Sequence, residues 1–259
     1  MISLGSIRHR TRKSTSIVLI RVFGELNSDQ SNILDIMQVL LNHDCSGYRG
    51  VILLIDCSGG TLASAEGLEA LLQMRFRDAG VSIYAVVLER CLSAGMHLAC
   101  FADRIYAPSG ALFGSFGTSM EWPESHLLRK KVGLSRTLYK TRPYKDLCSP
   151  HRPPTPDDQK RVMELLNRLD SQFLEFICER RGLHRKDIES FLDGRLITAA
   201  DALKIGLIDE FGGIGTACAR LVPGFPLLTD VEVEFTFLGE PKSGSPQLPL
   251  LAEISKFFS

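Results

Sequence analysis

Three apolar runs, Ile17–Phe23, Val51–Ile55 and Val81–Leu88, each followed by a stretch with helical spacing, constrain this chain more than any other feature. A run without a polar face has to be buried on both sides. Strands that alternate with helices achieve this when crossover connections make them parallel and lay helices on both faces. The expected fold class is therefore α/β, a mostly parallel sheet flanked by helices. The first run is predicted to end at Gly24 and to feed a helix over 32–41. The second leads into Asp56-Cys57-Ser58-Gly59-Gly60, read as a glycine turn, and then into a helix over about residues 64–76. The third meets the helix-forming stretch 94–102 at Cys91-Leu92-Ser93, with a short strand over 104–107 and a turn at 108–110 beyond it.

From Glu121 to Pro154 the pattern is irregular, basic and rich in proline, which reads as an excursion from the core. A long helix opens at Thr155-Pro156-Asp157-Asp158, where a capping threonine precedes proline and two acids. Val162, Leu165, Leu166, Leu169, Phe173, Phe176 and Ile177 give that helix one apolar stripe, expected to be buried. Helical stretches over 185–192 and 198–204 follow, and Val231–Phe237 alternates as a half-exposed strand does. The division implied is a basic N-terminal tail over 1–16, one domain over 17–240 with 121–154 as its excursion, and a C-terminal tail over 241–259. That tail is expected to be loose, with Leu248–Phe258 able to dock as an amphipathic helix.

Bulk properties remove several function classes. Thirty basic side chains balance thirty acidic ones, so no overall field favours nucleic acid. Seven cysteines form neither Cys-x-x-Cys nor a Cys/His cluster, so neither a metal site nor a cofactor is expected, and buried free thiols in a reducing compartment are. The apolar run after the basic N-terminus is too short to span a bilayer. The expected location is cytoplasmic or peripheral to the membrane.

Ser93 is the residue most suggestive of chemistry. A hydroxyl at a strand-to-helix seam sees the positive end of a helix and a free backbone N–H. It needs a base. His9, His43, His126, His151 and His184 fall in the tail, in turns or in the excursion, and His97, on the helix that Ser93 opens, cannot easily reach back. A lysine held neutral by burial can serve instead, and Lys145 in Tyr144-Lys145-Asp146 is the candidate, although composition alone favours reading it as a solvated loop lysine. Asp103, Asp209 and Glu210 read as caps and surface charges.

Several motifs in order resemble the signal peptide peptidase A family of protease IV-like serine peptidases. They are Asp56–Gly60, Ser93-Ala94-Gly95, Ala102–Ala107, Gly114-Ser115-Phe116-Gly117, Tyr144-Lys145-Asp146 with Ser149-Pro150, Asp193-Gly194-Arg195 and Ala202–Asp209. Ser58, Ala94, Met96 and His97 depart from the family pattern. The resemblance implies a ClpP/crotonase-like fold of repeated β-β-α and βαβ units. It also implies a Ser93/Lys145 dyad, an oxyanion hole from Gly59, Gly60 and Ala94, and Ser115 as an orienter of the lysine. Thr61, Met96 and His97 are implied as substrate contacts, and a peptide as the substrate. The implied assembly is a homo-oligomeric ring, such as a tetramer or octamer, whose sites draw serine and lysine from neighbouring subunits. A crotonase-type acyl-CoA enzyme and a non-catalytic scaffold are the rivals.

Overall fold

A computed structural model describes residues 15–27, 33–42, 47–222 and 233–238. The expected N-terminal tail lies outside them up to residue 14, as do the C-terminal tail and its Leu248–Phe258 helix.

Chain order begins with β1 (Thr15–Leu26), α1 (Ile33–Asn42), β2 (Gly50–Gly60), α2 (Leu62–Arg75), β3 (Ser82–Leu92), α3 (Ala94–Phe101), β4 (Arg104–Ala107) and β5 (Leu112–Gly114). After them come α4 (His126–Lys131), α5 (Pro156–Arg181), α6 (Arg185–Ile188), β6 (Leu196–Thr198), α7 (Ala199–Lys204), β7 (Glu210–Phe211), α8 (Ile214–Leu221) and β8 (Val233–Leu238). One sheet contains all these strands, with the path β6-β5-β3-β2-β1-β8 and with β4 and β7 branching from β3. Its pairings are parallel except that of β5 with β6. The expected α/β architecture, a mostly parallel sheet flanked by helices, is what the chain adopts.

The apolar runs are buried on both faces, as their composition demands. Val18, Ile20, Val22, Leu53, Ile55, Ala85 and Val87 pack with α1, α2, α3 and α5 on one side. Ile17, Leu19, Ile52, Leu54 and Val86 point the other way, toward Tyr106 and the α8 residues Ala217, Cys218 and Leu221. Successive side chains of a strand alternate between faces, so unbroken apolar runs fill two cores at once.

Two expected strand ends are moved. β1 passes through Gly24, where the register with β2 shifts, and continues to Leu26. The presumed glycine turn stays in the ladder, with Leu26 opposite Gly60 and Cys57 opposite Cys91. A glycine ends a strand only if the chain turns there, and here its positive φ is absorbed as a bulge.

β3 is forked. Its first half, Tyr84–Val86, pairs with β4, and its last residues, Arg90–Leu92, pair with β5. Two of the three acids expected to be caps and surface charges, Asp103 and Asp209, prove to be strand ties. The Ile83 N–H donates to Asp103 Oδ2 at 2.8 Å while the Asp103 N–H donates to the Ile83 carbonyl at 2.7 Å. Asp209 does the same to Ile105, at 2.7 and 3.0 Å. Each carboxylate thus pairs an amide at the start of a parallel pairing, where a backbone partner is lacking. Glu210 pairs with Arg220 at the surface.

Candidate active site

β3 ends at Leu92 and α3 starts at Ala94, so Ser93 makes the whole turn by itself. It does so at φ 47° and ψ −119°, a conformation that L-residues adopt rarely and at a cost of about 1–3 kcal/mol. Its N–H donates to the Gly114 carbonyl of β5 at 3.0 Å, and its own carbonyl accepts from the Met96 N–H at 2.8 Å. Those two bonds pin the strained residue from outside and from inside the helix. Serine at a helix start usually caps it. Here the side chain makes no capping hydrogen bond, and the hydroxyl sits half-buried at the positive end of a helix whose eight residues are all buried.

Beside it lies the end of β2. Gly59 has φ 121°, and a Cβ added there would lie 3.2 Å from Ser93 Cβ and 3.8 Å from Ser93 Oγ. Gly60 has φ 136°, and its Cβ would fall 2.2 Å from the Leu26 carbonyl oxygen. At Gly60 a side chain would run into the β1 backbone, and at Gly59 it would crowd Ser93 at a φ that L-residues resist, so glycine keeps the end of β2 close to Ser93. The Gly59 N–H faces Cys57 Sγ at 3.4 Å, and that thiol donates back to the Gly59 carbonyl at 3.3 Å. Burial pushes the Cys57 thiol up to about 11, so it stays protonated in neutral solution. Ala94 has a negative φ, as a helical N–H donor requires.

Ser115 follows Gly114, the residue that holds the Ser93 N–H. It too has positive φ, 53°, and its N–H donates to the Arg195 carbonyl at 3.0 Å. The structure therefore gathers Ser93, Ala94, Gly59, Gly60 and Ser115 at the carboxyl ends of β2, β3 and β5. Sheets of this kind commonly place sites there.

Lys145 stands apart. It lies on an exposed 3₁₀ turn, Pro143–Asp146, and among the described residues its amine makes no hydrogen bond or ion pair. The turn itself is tightly held. Asp146 accepts from Lys140 at 2.7 Å and from Arg152 at 2.8 Å, while Arg152 also binds Asp158 and covers the Trp122 ring at 5.7 Å. Arg152 first, and Lys140 after it, hold the Asp146 carboxyl well below the usual carboxylate range. Arg152 does the same to Asp158, helped by the Thr155 N–H that completes the expected cap of α5. Trp122 Nε1–H donates to the Ser149 carbonyl at 3.0 Å, and Tyr144 O–H to Asp157 at 2.6 Å. Nothing in the composition of this basic stretch singles out Arg152 from its neighbours.

Of the three expected substrate contacts, Thr61 is exposed and caps α2 through the Ser64 N–H at 3.2 Å. Met96 is fully buried, and His97 is only 2% exposed. α3 runs through the core with all eight of its residues buried, so it has no outer face. Those two side chains pack inside the chain. Among the described residues no group of three or more His, Cys, Asp or Glu side chains is placed to hold a metal ion. No helix of the described residues is long and apolar enough to cross a membrane.

A model of Peptidase family S49 matches residues 75–224, more than half of the chain, and takes in Ser93, Ser115 and Lys145. The chain belongs to Peptidase family S49. That is a family of serine peptidases, and the forked, mostly parallel sheet is consistent with its ClpP/crotonase fold. Among curated S49-like relatives, the chain is 27% identical over 200 residues to "Putative protease MJ0651" of Methanocaldococcus jannaschii, covering 77% of this chain and 63% of that one. It is 27% identical over 203 residues to "Putative protease slr0021" of Synechocystis, covering 78% and 72%. To "Putative signal peptide peptidase SppA" of Enterococcus faecium it is 25% identical over 165 residues, covering 63% and 47%. The chain thus spans between about half and three quarters of the length of these relatives.

Proposed function

We propose that this S49 member is an endopeptidase in which Ser93 is the nucleophile and Lys145 the base, the two supplied by neighbouring copies of the chain. The observation that carries the reading is Ser93 itself: a strained, doubly pinned residue whose side chain caps no helix and stands close to Gly59. Strain of this kind persists where surrounding structure enforces it, and function is the usual reason it is kept.

In the proposed reaction a neutral Lys145 amine takes the Ser93 proton as Oγ attacks a peptide carbonyl. The oxyanion accepts from the Ala94 N–H and from the Gly59-Gly60 backbone, where Gly59 exchanges a weak sulfur acceptor for an anionic oxygen. Such donors contribute about 3–4 kcal/mol each in comparable sites. Collapse expels the amine, which takes the proton back from Lys145, and water then cleaves the acyl-enzyme with Lys145 again accepting a proton. In this reading Ser115 orients the lysine amine once it arrives. The kinship with proteins named as signal peptide peptidases points to apolar peptides, signal-peptide remnants among them, as substrates.

A second copy is needed because a base amine must be neutral, and burial is what disfavours the charged form. In one chain every residue from Lys130 to Lys145 is exposed. Leu128 at 65%, Leu134 at 57% and Tyr139 at 91% lie in or beside that arm, an apolar surface that a neighbouring copy would cover. Mixing tests the sharing directly. Ser93→Ala and Lys145→Ala should each abolish peptide hydrolysis and Ser93→Ala should abolish fluorophosphonate labelling. Co-refolded together, the two inactive chains should regain part of the hydrolysis. Hydrolysis surviving either single substitution overturns the dyad, and no recovery on mixing overturns the sharing.

A further inference from the structure

His97 has no role in the reaction just described, yet it is the most elaborately bound side chain of α3. Its Nε2 lies 2.5 Å from Glu69 Oε2 on α2. Its ring stacks on Phe176 of α5, with centroids 3.8 Å apart and an interplanar angle of 11°. Glu69 uses its other oxygen to accept from Arg180 of α5 at 3.0 Å, and the Arg180 guanidinium lies 5.1 Å from the Phe176 ring centroid and 5.4 Å from that of Phe101. Gln172 ties α5 to Glu66 of α2 at 2.8 Å in the same seam.

The donor and acceptor roles follow from the partners. A carboxylate already paired with arginine can only accept, so Nε2 carries the hydrogen. His97 Nδ1 is buried and has no partner in the structure. An unmade hydrogen bond in a dry site is costly, and a residue needed only for packing would be apolar there. What the histidine adds over an aromatic ring is one directional bond to α2.

The three helices joined at this point carry the three parts of the site. α2 begins directly after Gly59-Gly60, α3 begins at Ser93, and α5 is the return from the arm that bears Lys145. We propose that His97 is a positioning residue: through Glu69 and Phe176 it fixes α3 against α2 and α5, and so sets the Ser93 hydroxyl and the Ala94 N–H against the Gly59-Gly60 backbone. A histidine four residues after the nucleophile acts here on where the nucleophile stands, with no proton passing between them.

This rests on Ser93 being the nucleophile, and the experiment separates the two. On the full chain, the rate of fluorophosphonate labelling and kcat and KM for a fluorogenic leucyl peptide amide are measured for wild type, Ser93→Ala, His97→Phe, His97→Gln and Glu69→Ala. Phenylalanine keeps the stack and loses the hydrogen bond, whereas glutamine returns an N–H near the place of Nε2. In His97→Phe the labelling rate and kcat should fall about tenfold, the scale expected when a reacting group is slightly misplaced. KM should stay within about twofold, because ground-state binding is untouched. Glu69→Ala, which removes the acceptor and keeps the His97–Phe176 stack, should show the same loss, and His97→Gln should recover most of it. Circular dichroism at the assay temperature verifies that each variant is folded. No labelling of wild type, or labelling that survives in Ser93→Ala, overturns the nucleophile and this proposal with it. If Ser93→Ala abolishes labelling, the positioning role is overturned by wild-type kcat in both His97→Phe and Glu69→Ala, by an effect on KM alone, or by His97→Gln being as impaired as His97→Phe.

Discussion

Among the described residues three non-glycine positions have positive φ, and two of them, Ser93 and Ser115, belong to the proposed site while the third, Cys148, follows Lys145 by three positions. Backbone strain in this molecule is concentrated where the chemistry is proposed. Gly59 tests whether that geometry matters. Gly59→Ala places a methyl 3.2 Å from Ser93 Cβ at a φ that alanine resists. It should cost about 1–3 kcal/mol of stability and, through displacement of Ser93, about a hundredfold in labelling rate. Thermal melts and labelling rates check it, and a variant labelled at the wild-type rate sinks the idea. Ser93 and the glycine pair were legible from residues alone, since a strand-to-helix seam and a glycine pair mark themselves. Lys145 was raised above an ordinary solvated lysine only through resemblance, because a lysine in a loop carries no local sign of a partner that another chain would provide. His97 was seen, but its bond to Glu69 spans 28 positions and joins two helices, and no spacing within either helix reports it.

Elements were legible in proportion to their length and to how locally they are determined. The start of α5 followed from Thr155, Pro156 and Asp158, which form a capping box as the residue types suggest. Its stripe was overread. Phe173, Leu174 and Ile177 are buried, but Leu165 is 43% exposed, because the first half of the helix runs beside the arm and beyond the sheet. β5, β6 and β7 are two or three residues long, too short to show a period, and exist because β3 and β4 offer them a ladder. The Asp146–Arg152–Asp158 knot holds the turn between the arm and α5, and it is open to test. Arg152→Met should raise trypsin cleavage between Arg129 and Lys145 by about tenfold while leaving the core folded, as expected for local opening. Both carboxylates are depressed by folding, so their contribution is fully present above the ordinary value of 3.8 and is lost as pH falls through the lower folded values. The wild-type arm should resist proteolysis at pH 5 and loosen only below about pH 4. An arm equally protected in Arg152→Met, or loosened already at pH 6, sinks this account.

At the scale of the whole molecule, the parallel α/β class was legible because two-sided burial leaves an unmistakable composition in the strands. The fork at β3 was not, since which of two short strands joins which half of a longer one is decided by tertiary packing. That fork has a consequence in time. Ser93 is held by Gly114 of β5, β5 is closed by β6, and Ser115 leans on the Arg195 carbonyl, so the strained turn depends on chain that lies about a hundred residues downstream. A growing polypeptide can build β1, β2, β3 and the helices between them before that downstream segment exists. Until it docks, nothing forces Ser93 out of an ordinary conformation. On refolding from denaturant, helical ellipticity should therefore return before Ser93 becomes reactive to a fluorophosphonate, and simultaneous return would refute the dependence. With Ser93 as the proposed nucleophile, a peptidase built this way stays inert while it is being made, until β5 and β6 have docked beside β3.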